Sequence, residues 1–348
     1  MIPTNDLNVA GMRKLISPAA LKERFPLTEA QAAAVGQARS TVSEILEGRD
    51  HRVLGIVGPC SIHDSKSALE YAGRLKHLSD ELSDRLYLVM RVYFEKPRTS
   101  VGWRGFIVDP RLDGSYEIEA GLSEARDLLG RLTDGGLACA TEVLDPIVPQ
   151  YIADLVSWAA IGARTTESQT HRDITSGLSM PVGFKNGTDG SLDIAVNALA
   201  ASREAKSFIG IDQDGQTCVV STKGNRHGHV ILRGGKSGPN FDAAALDAAE
   251  KELGAHGLPG ALMVDCSHAN SGKDPQRQSE VLRALGGEIE NGRTSLRGFM
   301  LESHLFSGAQ PVGPLETLKY GVSITDGCLG WDDTERALRG FHAAVGAR

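Results

Sequence analysis

Short apolar runs alternate with stretches of helical periodicity along this chain, and that alternation constrains its architecture more than any other feature. The runs are VLGIVGPC (53–60), LYLVMRVYF (86–94), ACATEVLD (138–145), WAAIGART (158–165) and PVGFKN (181–186), then SFIGID (207–212), CVVST (218–222), HVILRGG (229–235), ALMVDCSH (261–268) and LRGFMLES (296–303). Stretches such as SALEYAGRLKHLSDEL, YEIEAGLSEARDLLGRLTD and FDAAALDAAEKELGAH between them read as amphipathic helices. Near-continuous apolar strands alternating with helices predict a parallel sheet covered on both faces. Only DQDGQ separates the runs at 207–212 and 218–222, which reads as an inserted hairpin with an Asp-Gly turn. Setting that pair aside leaves eight strands, so the expected fold is α/β, a closed (β/α)8 TIM barrel carrying an inserted β-hairpin at about 207–222.

Charge and targeting signals narrow the function. The formal net charge of -7 argues against a nucleic-acid partner or an anionic membrane surface, either of which needs a broad basic face. No apolar stretch approaches the roughly 20 residues of a membrane span, and MIPTNDLNVAGMRK lacks a signal core. Cys60, Cys139, Cys218, Cys266 and Cys328 are scattered and form no CxxC, which fits a reduced, cytoplasmic compartment.

The predicted strands stop at residues able to do chemistry: Cys60, Arg91 with Lys96, Glu142, Arg164, Lys185, Arg233, His268 and Glu302. In a barrel those ends form one rim, where barrel enzymes place their active sites. Taken singly, Cys60 reads as a small buried apolar residue and His268 as a core histidine; their company is what points elsewhere. Arg91, Lys96, Arg98, Arg164, Lys185 and Arg233 would be six unpaired cations in one cleft, a costly arrangement without an anionic guest. Cys60, His268 and Glu302, with Asp326 in SITDGCLGW, form a mixed S/N/O set suited to a divalent transition metal.

GPCSIHD (58–64), RVYFEKPRTSVGW (91–103), GARTTESQ (162–169), GFKNGTDG (183–190), ILRGGK (231–236), DCSHANS (265–271), ESH (302–304) and SITDGCLGW (323–331) follow one another in that order. Together they closely resemble the microbial type I 3-deoxy-D-arabino-heptulosonate-7-phosphate (DAHP) synthases. The resemblance runs from about Asp6 to the last helix. It implies an N-terminal extension over 1–50, with oligomer or regulatory contacts, before a catalytic barrel at 51–348. It also implies condensation of phosphoenolpyruvate with D-erythrose 4-phosphate and water, the first step of the shikimate pathway to the aromatic amino acids.

By matching motif, the resemblance makes Cys60, His268, Glu302 and Asp326 the ligands of a divalent metal, Mn²⁺, Co²⁺ or Fe²⁺ before Zn²⁺. Arg91, Lys96, Glu142, Arg164, Lys185 and Arg233 surround phosphoenolpyruvate, and Glu142 positions the attacking water. Lys96 is the proton donor to the aldehyde. Pro97, Arg98, Thr99 and Ser100 take erythrose 4-phosphate, with Asp326 nearby. An aromatic amino acid inhibitor, tyrosine before phenylalanine, would occupy a pocket of Pro149, Gln150, Leu178, Ser179, Phe208, Gly210 and Val220. A homodimer or homotetramer is expected. Two alternatives stay open at this point. The sister enzyme 3-deoxy-D-manno-octulosonate-8-phosphate synthase usually reads Lys-Ala-Asn-Arg where this chain has Lys96-Pro97-Arg98-Thr99. A non-catalytic sugar-phosphate-binding barrel would be expected to lack a metal ligand or Lys96.

Overall fold

The computed structural model describes residues 3–346. Ten strands occur among them: β1 (Val53–Gly58), β2 (Leu86–Arg91), β3 (Cys139–Glu142), β4 (Trp158–Ile161), β5 (Val182–Lys185), β6 (Ser207–Ile211), β7 (Thr217–Ser221), β8 (Gly228–Leu232), β9 (Leu262–Asp265) and β10 (Leu296–Glu302). Eight of these form a closed parallel barrel in the order β1-β2-β3-β4-β5-β8-β9-β10, and β10 returns to β1 with Glu302 opposite Gly58. Every residue of β1, β5, β8 and β9 is buried, as helices on one face and barrel filling on the other require.

Strands β6 and β7 stand apart as an antiparallel pair. Their turn is built by Asp212, whose Oδ1 accepts from the backbone N–H groups of Asp214 and Gln216, and by Gly215 at φ +77. That turn chemistry is why the pair leaves the barrel series.

Two helices precede the barrel, α1 (Pro18–Arg24) and α2 (Glu29–Leu46). Thr28 and Gln31 close a capping box at the start of α2. Val42, Ile45 and Leu46 of α2 share an apolar cluster with Leu54, Ile56, Val89, Trp158, Ile231 and Met263. Helix α2 therefore packs against the N-terminal ends of the strands and leaves the C-terminal rim open. The outer helices are α3 (Ser65–Glu81), α4 (Ile118–Asp134), the single turn α5 (Pro149–Ile152), α6 (Gln169–Thr175), α7 (Asp193–Ser202), α8 (Ala243–Ala255), α9 (Gln278–Glu290) and α10 (Trp331–Ala344). Among the described residues, no helix is long and apolar enough to cross a membrane.

Candidate active site

The strand ends place their chemistry on one rim, but the inner cations are not unpaired. Arg91 ends β2 only 1% exposed, its Nη2 donating to Glu302 Oε1 at 2.9 Å and its Nε to the Pro59 carbonyl at 3.1 Å. Lys185, at the end of β5, donates to Asp265 Oδ2 at 2.9 Å. Lys96 donates to both the carbonyl and the sulfur of Cys60, each at 3.1 Å. This corrects the expectation of six unpaired cations. Burying a lone cation is too costly, so the fold supplies a partner from another strand. Burial pushes the Glu302 carboxyl up, yet Arg91, His268 and Lys96 outweigh it and hold the carboxyl down to about 2.

Cys60 Sγ, a Glu302 oxygen and an Asp326 oxygen lie within 4.8 Å of one another. One thiol and two carboxylates make a donor set that suits a divalent transition metal. Burial, then the charge of Glu302, pushes the Cys60 thiol up, while Lys96 opposes the rise. His268 falls outside this tight group: its Nδ1 sits 2.9 Å from Asp265 Oδ2, without hydrogen-bond alignment. Among the described residues, Asp265 is the buried carboxylate facing both Lys185 and His268, and sequence reading missed it. Its position at the end of an apolar run, in DCSH, was the available signal.

A cavity of about 640 Å³ opens over this rim, lined by Arg91, Lys96, Pro97, Arg98, Thr99, Glu142, Arg164, Lys185, Arg233, His268 and Asp326. Cys60 and Glu302 are buried beside it, and Ser100 is exposed in the loop but does not line it. Arg98, Arg164 and Arg233 have no carboxylate partner among the described residues. Lys236 and Lys273, which sequence reading also missed, line the same cavity. The loop after β2 is folded back on itself: Lys96 N donates to the Arg104 carbonyl, and a Cβ on Gly105 (φ +113) would lie 2.2 Å from the Phe94 carbonyl oxygen. Only glycine fits there. Arg164 ties this loop to the β4 loop by donating to the Pro97 carbonyl at 3.0 Å. Glu142 Oε1 is buried with no partner among the described residues.

A second cavity, about 540 Å³, lies between the hairpin and α5. All seven residues expected around an inhibitor line it: Pro149, Gln150, Leu178, Ser179, Phe208, Gly210 and Val220. Lys22, Arg39 and Asp154 add charged groups that no sequence motif assigns to this cavity. The space beside Gly210 is smaller than the absence of a side chain suggests, because a Cβ there would lie 2.8 Å from Val220 Cγ2.

Fold and rim together define a class: a (β/α)8 barrel enzyme built around a cationic cavity and a thiol–carboxylate cluster. Residues 24–339 match the model of the DAHP synthetase I family, and the chain belongs to that family. It is 54% identical over 339 residues to the tyrosine-sensitive phospho-2-dehydro-3-deoxyheptonate aldolase of Salmonella typhimurium, covering 97% of this chain and 95% of the relative. It is 49% identical over 344 residues to the phenylalanine-sensitive enzyme of that name from Escherichia coli, covering 99% and 98%. The solved structure of a phospho-2-dehydro-3-deoxyheptonate aldolase from Francisella tularensis superposes with a TM-score of 0.96 at 44% identity, covering 98% of this chain and 99% of that one.

Proposed function

We propose that this chain condenses phosphoenolpyruvate with D-erythrose 4-phosphate and water to give DAHP and inorganic phosphate, the first step of aromatic amino acid biosynthesis. The observation that carries this reading is the 640 Å³ cavity, where Arg98, Arg164 and Arg233 stand without carboxylate partners beside the Cys60–Glu302–Asp326 cluster. Two phosphorylated substrates need such a surplus of cations.

In this reading Cys60, Glu302, Asp326 and the His268 imidazole hold a divalent ion, Mn²⁺, Co²⁺ or Fe²⁺ before Zn²⁺. When bound, the ion supplies Lewis acidity at the aldehyde oxygen. Arg164, Lys185 and Arg233, with Arg91 beneath, hold the phosphate and carboxylate of phosphoenolpyruvate. Arg98 and Thr99, flanked by Pro97 and Ser100, hold the phosphate of erythrose 4-phosphate. Carbon C3 of phosphoenolpyruvate bonds to the aldehyde carbon while Lys96 gives a proton to the aldehyde oxygen. Water positioned by the Glu142 carboxylate adds at C2, and cleavage of the C2–O bond expels phosphate. Holding both anions in register supplies much of the rate.

The 540 Å³ cavity is read as a feedback site for an aromatic amino acid, tyrosine first. Lys22 and Arg39 suit its carboxylate and Asp154 its ammonium group. Residues 1–50 are read as the extension that makes oligomer or regulatory contacts, in a homodimer or homotetramer. The outward face of the hairpin, with Ile209 and Val219 81% and 73% exposed, is apolar enough to be covered by a second copy. Five free cysteines agree with a cytoplasmic location.

The test is to mix purified protein with both substrates and follow phosphate release. Release is expected only when both are present. Absence of turnover, or equal turnover with arabinose 5-phosphate, would overturn the reading.

A further inference from the structure

Asp265 does not itself line the 640 Å³ cavity, yet its carboxylate meets two residues that do. It is 0% exposed and ends β9. Its Oδ2 lies 2.9 Å from Lys185 Nζ and 2.9 Å from His268 Nδ1, while Oδ1 accepts from the Ser267 N–H at 3.0 Å. The side chain is therefore held from three directions and has little freedom to turn.

The loop that follows is bent around this carboxylate. His268 sits at φ +55, a left-handed conformation that is uncommon for a residue with a side chain. It persists because its surroundings over-determine it. Lys273 N donates to the His268 carbonyl at 2.8 Å, and Asn270 Nδ2 donates to the Asp265 carbonyl at 2.9 Å. The bend brings the imidazole against Asp265 and presents the ring at the cavity. A neutral imidazole carries its proton on one nitrogen and its lone pair on the other. A carboxylate at Nδ1 keeps the proton there and leaves the lone pair on Nε2.

We propose that Asp265 is a positioning residue for His268, fixing the ring so that Nε2 is the nitrogen offered to the metal. Lys185 is the second anchor of the same carboxylate, so one buried group braces both the metal side and the phosphoenolpyruvate side of the cavity. This rests on the metal reading proposed for Cys60, His268, Glu302 and Asp326.

The experiment is a double-mutant cycle on metal affinity in the full chain, without substrates. Mn²⁺ binding is measured by calorimetry, and Co²⁺ binding by its visible absorption, for the unmodified protein, Asp265→Asn, His268→Ala and the double variant. Loss of a carboxylate behind a ligating histidine typically costs about 10- to 100-fold in metal affinity. Asp265→Asn should show that loss and a changed cobalt spectrum in the unmodified background, and neither in the His268→Ala background. An equal loss in both backgrounds would make Asp265 a structural residue and overturn the inference, as would no loss at all. Asp265→Asn leaves Lys185 buried without its partner, so the cycle is repeated with Lys185→Met throughout, where the same pattern is required. Cys60→Ser separates the two readings. If that variant binds metal as tightly as the unmodified protein, the metal site itself is wrong and the inference falls with it. If it does not, the cycle judges Asp265 alone.

Discussion

Glu95 stands next to Lys96 and is 3% exposed, with Oε1 unpartnered among the described residues and Oε2 accepting only a long 3.4 Å bond from Asp145 N. Burial, reinforced by the carboxylates of Asp145 and Glu142, raises its carboxyl from 4.5 to about 8. The folded chain thus holds this proton more tightly than the unfolded chain does. The resulting contribution to stability is complete below pH 4.5 and is lost as pH rises towards about 8. At about 1.36 kcal/mol per pH unit the ceiling on that loss is about 5 kcal/mol, and relaxation around the charged group will reduce it. Glu95→Gln keeps the shape and removes the proton, so it should abolish this slope. Urea unfolding of both proteins from about pH 5 to pH 9 measures it. The variant should be close to the unmodified protein in stability at the acid end and pull ahead by several kcal/mol at the alkaline end. Two stability curves that stay parallel across that range would refute the reasoning.

Three further outcomes follow from the geometry. Chelation should abolish activity and Mn²⁺, Co²⁺ or Fe²⁺ should restore it, with Mg²⁺ poorer because thiolate is too soft for it; Cys60→Ser should lose metal while the fully buried Cys266→Ser keeps it, as metal analysis would show. Arg98→Ala should raise the Michaelis constant for erythrose 4-phosphate by about one to two orders of magnitude, from a charge-assisted contact worth roughly 1.5–3 kcal/mol, with little change for phosphoenolpyruvate; Arg164→Ala should do the reverse, and steady-state kinetics decides. Gly210→Ser must push Val220 aside and narrow the second cavity, so inhibition assays should show tyrosine losing several-fold relative to phenylalanine, whereas the unmodified protein should prefer tyrosine.

The strands were legible because a parallel barrel buries them on both faces, so each appears as an apolar run with no competing periodicity. The hairpin was legible because Asp212 and Gly215 carry the chemistry of a tight turn. What escaped was which side chains pair with which across the closed barrel. Arg91 and Glu302 are 211 residues apart and meet only because β10 closes on β1. Lys185 and Asp265 are 80 apart and meet across β8. Read from the sequence, these cations looked free. Lys22 and Arg39 reach the second cavity from α1 and α2, whose docking no local pattern announces. His268 could be named as a ligand type from its motif, but the direction of its ring is set by Asp265 and a left-handed bend.

The pairing of the inner cations also decides how the cavity attracts its guests. Arg91 and Lys185 are each offset by a buried carboxylate, so the barrel can fold with nothing in the cavity, and these two add little net charge to it. The pull on phosphorylated substrates must come from Lys96 and the outer set, Arg98, Arg164, Arg233, Lys236 and Lys273, facing only Glu142 and Asp326 among the carboxylates of the lining. Arg98, Arg164, Lys236 and Lys273 are exposed, so salt screens them, with a Debye length of about 8 Å at physiological ionic strength. The inner pairs are dry and are screened much less. Rising salt should therefore weaken capture of both substrates while leaving the arrangement of Arg91, Lys185 and their carboxylates intact. A chain of net charge -7 can thus draw in anions through a local concentration of exposed cations, while Arg91 and Lys185 stay tied to carboxylates of the barrel.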